Sequence, residues 1–351
     1  MKSRFLKSLF VLGSMISSQA VAENFSIDQE GSYGTLSGYD SIVVRKNSTV
    51  EKIENTENGT FLNVQAELTV NSDLEVKQIS LNQYDKVCKL TVNGNLTVSA
   101  NSKGEGGINI AQGEKVVVTG TTTINGSGNS FFQITGKSSL ETGKLVLNGT
   151  SSINDSTIVA EEIEVNNTFS LLGGSISAAN GDSVMTIGDG GSITQQGTSV
   201  NMDTVVDGGQ ITMYRGSFDS LTLEDGKLDV RGSVTTGALT LDGGELVINS
   251  GCSIDLNGEG LILSDKVAIT VNVVNMDDAL TGNYTLFTNM GQVSGSPLEV
   301  TFQNYEGTAT QKAALTYNAD GSVTVVAVPE PTTATLSLLA LAGLCARRRR
   351  K

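Results

Sequence analysis

GGSIS (173–177), GGSIT (190–194), GGQIT (208–212), DGKLD (225–229) and GGELV (243–247) follow one another at a nearly constant interval. Their first apolar residues, Ile176, Ile193, Ile211, Leu228 and Leu246, stand 17, 18, 17 and 18 positions apart. A second alternating track, Leu221/Leu223 and Leu239/Leu241, extends upstream to Leu145/Leu147 and Ile163/Val165 at the same interval. Alternation over three to five residues is the signature of a strand, and no 3.6-residue pattern is sustained in this region. A short fixed period with Asp-Gly or Gly-Gly at each turn predicts a parallel β-solenoid (β-helix) in which one repeat makes one coil of about 17–18 residues. Short alternating strands also suit an antiparallel β-sandwich, which is the alternative.

Working outward, NGNLTV (93–98) and NGTSSI (148–153) are looser versions of the same turn. The expected organisation is an N-terminal β segment leading into the solenoid over 23–89, solenoid repeats over 90–261 and a C-terminal β cap over 262–328. The cap expectation rests on Tyr284, Phe287, Phe302, Tyr305 and Tyr317, which gather where the register fades. Solenoid ends need such protection against edge pairing. Cys88 and Cys252 would lie roughly 40 Å apart on stacked coils, so they are expected to remain unpaired thiols.

Composition narrows the chemistry. The 351 residues contain 40 glycines, three prolines, no tryptophan and no histidine. Without histidine there is no Ser-His-Asp or Cys-His nucleophile, no HExxH zinc site and no imidazole switch. The net charge of −14 conceals a more acidic interior. Eight of the 23 basic residues (Lys2, Arg4, Lys7, Arg347 to Arg350 and Lys351) lie at the termini, leaving 15 against 37 acidic residues. That surface repels phosphate backbones, so no nucleic-acid partner is expected.

Asp189, Asp207, Asp225 and Asp242 precede the repeated glycines at intervals of 18, 18 and 17, and a carboxylate ladder is a weak calcium candidate. Asp-Gly is equally a good turn, so no metal or cofactor is expected. Arg215-Gly216-Ser217 recurs as Arg231-Gly232-Ser233, either to grip a carboxylated sugar or as exposed charge relief. A β-helix carbohydrate-active enzyme, lyase or glycosidase, needs paired carboxylates across a cleft. The pairs Glu161/Glu162, Glu224/Asp225 and Asp277/Asp278 are adjacent in sequence and would face opposite sides of a strand. The expectation is therefore a non-enzyme, with no catalytic residue assigned.

Both termini read as addresses. MKSRFLKSLFVLGSMISSQAVAEN has a basic start, an apolar stretch and Ala20-Val21-Ala22, which predicts a secretory signal peptide over 1–22 cleaved after Ala22. At the other end, Pro329-Glu330-Pro331 precedes an apolar run over 332–346 and the basic stop Arg347, Arg348, Arg349, Arg350 and Lys351. A 15-residue helix spans roughly 22 Å, short of the ~30 Å hydrocarbon core, so it would be a marginal membrane span with a cytoplasmic basic end. Segment 329–351 resembles the PEP-CTERM sorting signal of Gram-negative bacteria. That resemblance implies processing by an exosortase, a membrane protease-transpeptidase, and association with exopolysaccharide or the cell envelope. Together these readings anticipate an exported structural or adhesive protein of the cell surface or extracellular matrix. It would be anchored transiently in the inner membrane, with extracellular polysaccharide as a partner. A passive surface spacer is the remaining possibility.

Overall fold

Alternation of apolar residues with small polar ones makes each segment a strand with one face for the interior. In the computed structural model these strands stack in parallel into a β-solenoid. The structure describes residues 24–56, 59–81, 87–99, 107–126, 131–277 and 282–328. Among them are 32 strands.

Three parallel faces enclose one core. The first face starts at Asn24–Ile27 and climbs through Ser41–Val44, Phe61–Val64 and Gln78–Leu81. It continues without a break to Ala268–Val273 and Glu299–Asn304. The second face starts at Gly31–Leu36 and Ser48–Ile53 and ends at Tyr284–Thr288. The third begins later, at Leu74–Val76, and ends at Val293–Gly295. Long strands such as Ser192–Val206 turn two corners and serve all three faces.

The interior is a set of stacked columns. On the first face Phe169, Ile193, Ile211, Leu228, Leu246, Ile269 and Val300 lie one above another. All but Val300 are fully buried. Each coil alone encloses almost nothing, so the stack supplies the burial. The parallel pairing excludes the sandwich.

The structure changes several expectations. Ile176 does not head the column that contains Ile193. It lies on the second face between Ile158 and Val200, because that coil carries an extra loop and takes 24 residues from Phe169 to Ile193. The 17–18-residue coil holds from Ile193 to Leu246, whereas 31 residues separate Ile269 from Val300. Parallel pairing also extends beyond 90–261 at both ends, starting at Asn24 and continuing to Asn304. Among the described residues of 262–328, antiparallel pairing is confined to Thr310–Tyr317 and Val323–Ala327, which pair with each other and with the last strands of the first two faces. This hairpin closes the C-terminal end, with Val323 and Val325 fully buried and paired across to Phe287 and Tyr284. Tyr305 and Tyr317 remain exposed and are not part of the cap's core.

Cys88 is buried and Cys252 half-buried. Eight rungs of the second face separate them. At about 4.8 Å per rung that is far beyond disulfide reach. Burial, followed by the nearby charge of Glu114, pushes the Cys88 thiol up to about 11.

Candidate functional site

Parallel stacking puts equivalent residues of successive coils side by side, so chemistry on this molecule comes in columns. Where the third face turns into the first, the amides of Asn125, Asn148 and Asn166 form one. Asn148 donates to Asn125 at 2.8 Å and Asn166 donates to Asn148 at 2.9 Å. An amide is both donor and acceptor, so each rung satisfies the next.

Further along the same corner the column becomes acidic. The Asp207 amide donates to Ile187, that of Glu224 to Val206 and that of Asp242 to Leu223, placing these three on consecutive rungs. The four aspartates therefore do not form one ladder. Glu224 stands between Asp207 and Asp242, while Asp189 and Asp225 occupy the adjacent track on either side of Gly208. Sequence spacing cannot separate the tracks, because one added residue per turn moves an aspartate from one to the other. Among the described residues no three acidic or cysteine side chains come together as a metal site.

A cavity of about 460 Å³ opens beside the corner of the second and third faces, lined by Gly120, Gly143, Lys144, Glu161, Glu162 and Asp182 among others. Lys144 donates to Glu162 at 2.9 Å and also to Glu164. These bonds, that to Glu164 first, raise the Lys144 pKa. Glu161 is exposed beside half-buried Glu162, and both lie between buried Ala160 and Ile163 at a corner where the strand pairing skips Glu161, so the pair does not split across the strand as expected and both line the cavity. Glu224 and Asp225 fall on the two different tracks already described. Asp277 is described, but Asp278 lies outside the described residues.

A third feature had no sequence signal beyond the repeated Arg-Gly-Ser. On the outer side of the first face, Thr212, Asp229, Val247 and Thr270 stack in one row. Asp229, Val247 and Thr270 are all buried although they point away from the core. Taller side chains form walls around the row. On one side Lys227 pairs with Glu245 at 3.0 Å. On the other stand Tyr214, Arg231, Asn249 and Asn272, the last donating to Asn249 at 3.1 Å. Arg231 places Nε and Nη2 on the same oxygen of Asp229, Oδ2, at 2.9 and 2.8 Å. Asp229 Oδ1 is buried with no hydrogen-bond partner. Hydrogen bonding to Asp229 raises the Arg231 pKa. Arg215 bonds instead to the Gln196 carbonyl through Nε at 3.0 Å, so the two arginines hold different partners. A cavity of about 370 Å³, floored by Gly190, Gly191, Gly208, Gly209 and Gly226, abuts the Lys227 side.

Ala20 and Ala22, Pro329, Glu330 and Pro331, the apolar run 332–346 and the basic stop Arg347 to Lys351 lie outside the described residues. Among the described residues no helix is long and apolar enough to cross a membrane. No curated protein and no solved structure matches the chain. Residues 327–351 match the family of the PEP-CTERM protein-sorting motif, so this β-solenoid carries the signal of an exported protein that an exosortase sorts to the cell envelope.

Proposed function

We propose that the chain is a non-catalytic structural and adhesive rod of the cell envelope, associated there with extracellular polysaccharide. The observation that supports this reading is continuity. One parallel ladder runs from Asn24 to Asn304, a hairpin closes its end, and the sorting motif starts at residue 327. A signal peptide over 1–22 starts export, and the apolar run 332–346 with its basic end holds the chain in the inner membrane until processing. Acidity keeps the rod soluble and apart from anionic lipid. Of the carboxylates around the larger cavity, Glu162 is bound to Lys144, as is neighbouring Glu164, which argues against a glycosidase pair there.

The test is to change Pro329 and Pro331 to alanine in the full-length chain and follow its size and location. A larger form retained in the inner membrane is expected. Unchanged size and release would refute the sorting-dependent route.

A further inference from the structure

We propose that Tyr214, Asp229 and Arg231 form a subsite for a neutral sugar residue, recognised through a vicinal pair of hydroxyls. The proposal deepens the adhesive reading and rests on it.

The argument begins with the orphaned oxygen. Asp229 is 5% exposed, and its Oδ1 accepts no hydrogen bond although Oδ2 accepts two from Arg231. A buried acceptor without a donor is costly, and a charged one more so. Relief requires a donor, which a carboxylate or sulfate cannot supply and a hydroxyl can, and the chain's acidity disfavours a sugar that adds negative charge. Asp229 alternates with Leu228 and Val230, both fully buried in the core, so its carboxylate belongs to the outer side of the sheet.

The neighbours supply the rest of a sugar's needs. The Arg231 charge is already balanced by Asp229. Its Nη1 reaches the Tyr214 hydroxyl only at 3.5 Å, leaving it able to donate to a second sugar oxygen. Tyr214 is 40% exposed, offering part of its ring to the C–H face of a pyranose. The row continues along the rod as Val247 and Thr270, so a polymer can lie along the axis instead of entering a closed pocket. Among the described residues the other buried side-chain atoms without a partner, Asn63 Oδ1 and Thr236 Oγ1, belong to uncharged groups. The carboxylates Asp207, Glu224 and Asp242 form only an acidic column, and Lys144 in the larger cavity is already paired.

The test measures retention of the full-length protein on cellulose, a neutral 1,4-linked glucan with free vicinal hydroxyls at C2 and C3, against alginate, an anionic 1,4-linked polymer. Retention on cellulose is expected, weakened tenfold or more by Asp229→Asn and by Tyr214→Ala and largely preserved in Tyr214→Phe. Tyr214 is exposed, so its variants keep the test decisive if Asp229→Asn misfolds. Cellulose retention unchanged in Tyr214→Ala would overturn this site while leaving the adhesive reading intact. Binding to alginate alone would overturn the neutral-sugar assignment. Binding to neither polymer would overturn the adhesive reading together with the site.

Discussion

Gly232 shows how closely successive coils approach at a single residue. It follows Arg231, whose amide donates to the Met213 carbonyl at 2.8 Å. A β-carbon at 232 would fall inside the contact radius of the Tyr214 carbonyl oxygen, which is backbone and cannot swing aside. Gly34 has open space where its β-carbon would be and does not adopt a positive φ. Gly232→Ala should therefore destabilise the fold by about 1–3 kcal/mol, while Gly34→Ala should leave stability nearly unchanged. Thermal and urea unfolding of the two variants check this, and equal losses would count against the close-approach argument. Gly232 was readable in the sequence as part of a repeated Arg-Gly-Ser. The reason only glycine fits there depends on the coil below.

Among the elements, the corner columns are the most sensitive to register. Asn125, Asn148 and Asn166 satisfy one another, but Asp207, Glu224 and Asp242 put like charges on adjacent rungs. Like charges directly opposite are destabilising and are screened by salt. Glu224→Gln should stabilise the protein by about 0.5 kcal/mol at low ionic strength, with the gain shrinking as salt is added. Melting temperatures across a salt series measure the effect, and a gain that does not depend on salt would argue against charge repulsion. The closing hairpin has the opposite role. Val325 is fully buried over the last coil. Val325→Asp should cost about 3 kcal/mol or more by burying an unpaired charge. It should also free the edges of Tyr284–Thr288 and Glu299–Asn304 for self-association, seen as higher-order species on size exclusion. A stable monomer would show that the hairpin does not protect the end. The strands of both elements were legible from alternation and their turns from Asp-Gly and Gly-Gly. Which aspartates share a track was not, because coil length varies and one residue shifts the column. The Asp229 row was hidden for a related reason: four residues, one from each of four strands, become neighbours only after stacking.

At the scale of the whole molecule, the first face makes 13 steps from Asn24–Ile27 to Glu299–Asn304. At about 4.8 Å each the rod should be roughly 60 Å long. Small-angle scattering should return an elongated particle of that length, and an isotropic profile would contradict it. Stability in such a stack is carried by neighbouring coils, so the body tolerates loops of different length between Ile79 and Ile108 or between Ile269 and Val300 without losing the ladder. Delivery and shape are separate in this chain: residues 327–351 carry the address, and the solenoid is what arrives.

The sequence by itself determined an all-β chain with a short repeat, because period-two alternation between glycine turns is strand periodicity, while the parallel pairing of the folded chain decided the solenoid over the sandwich. It also determined the destination, because Pro329-Glu330-Pro331, the apolar run and the basic end are a local code read in linear order. Only the tertiary structure decided where the solenoid starts and stops, that Ile176 belongs to a different face from Ile193, and that Asp229 carries an unmet oxygen beside Tyr214. These depend on which residues of different coils share a rung. Loops of unequal length set that register, and local sequence spacing does not record their sum.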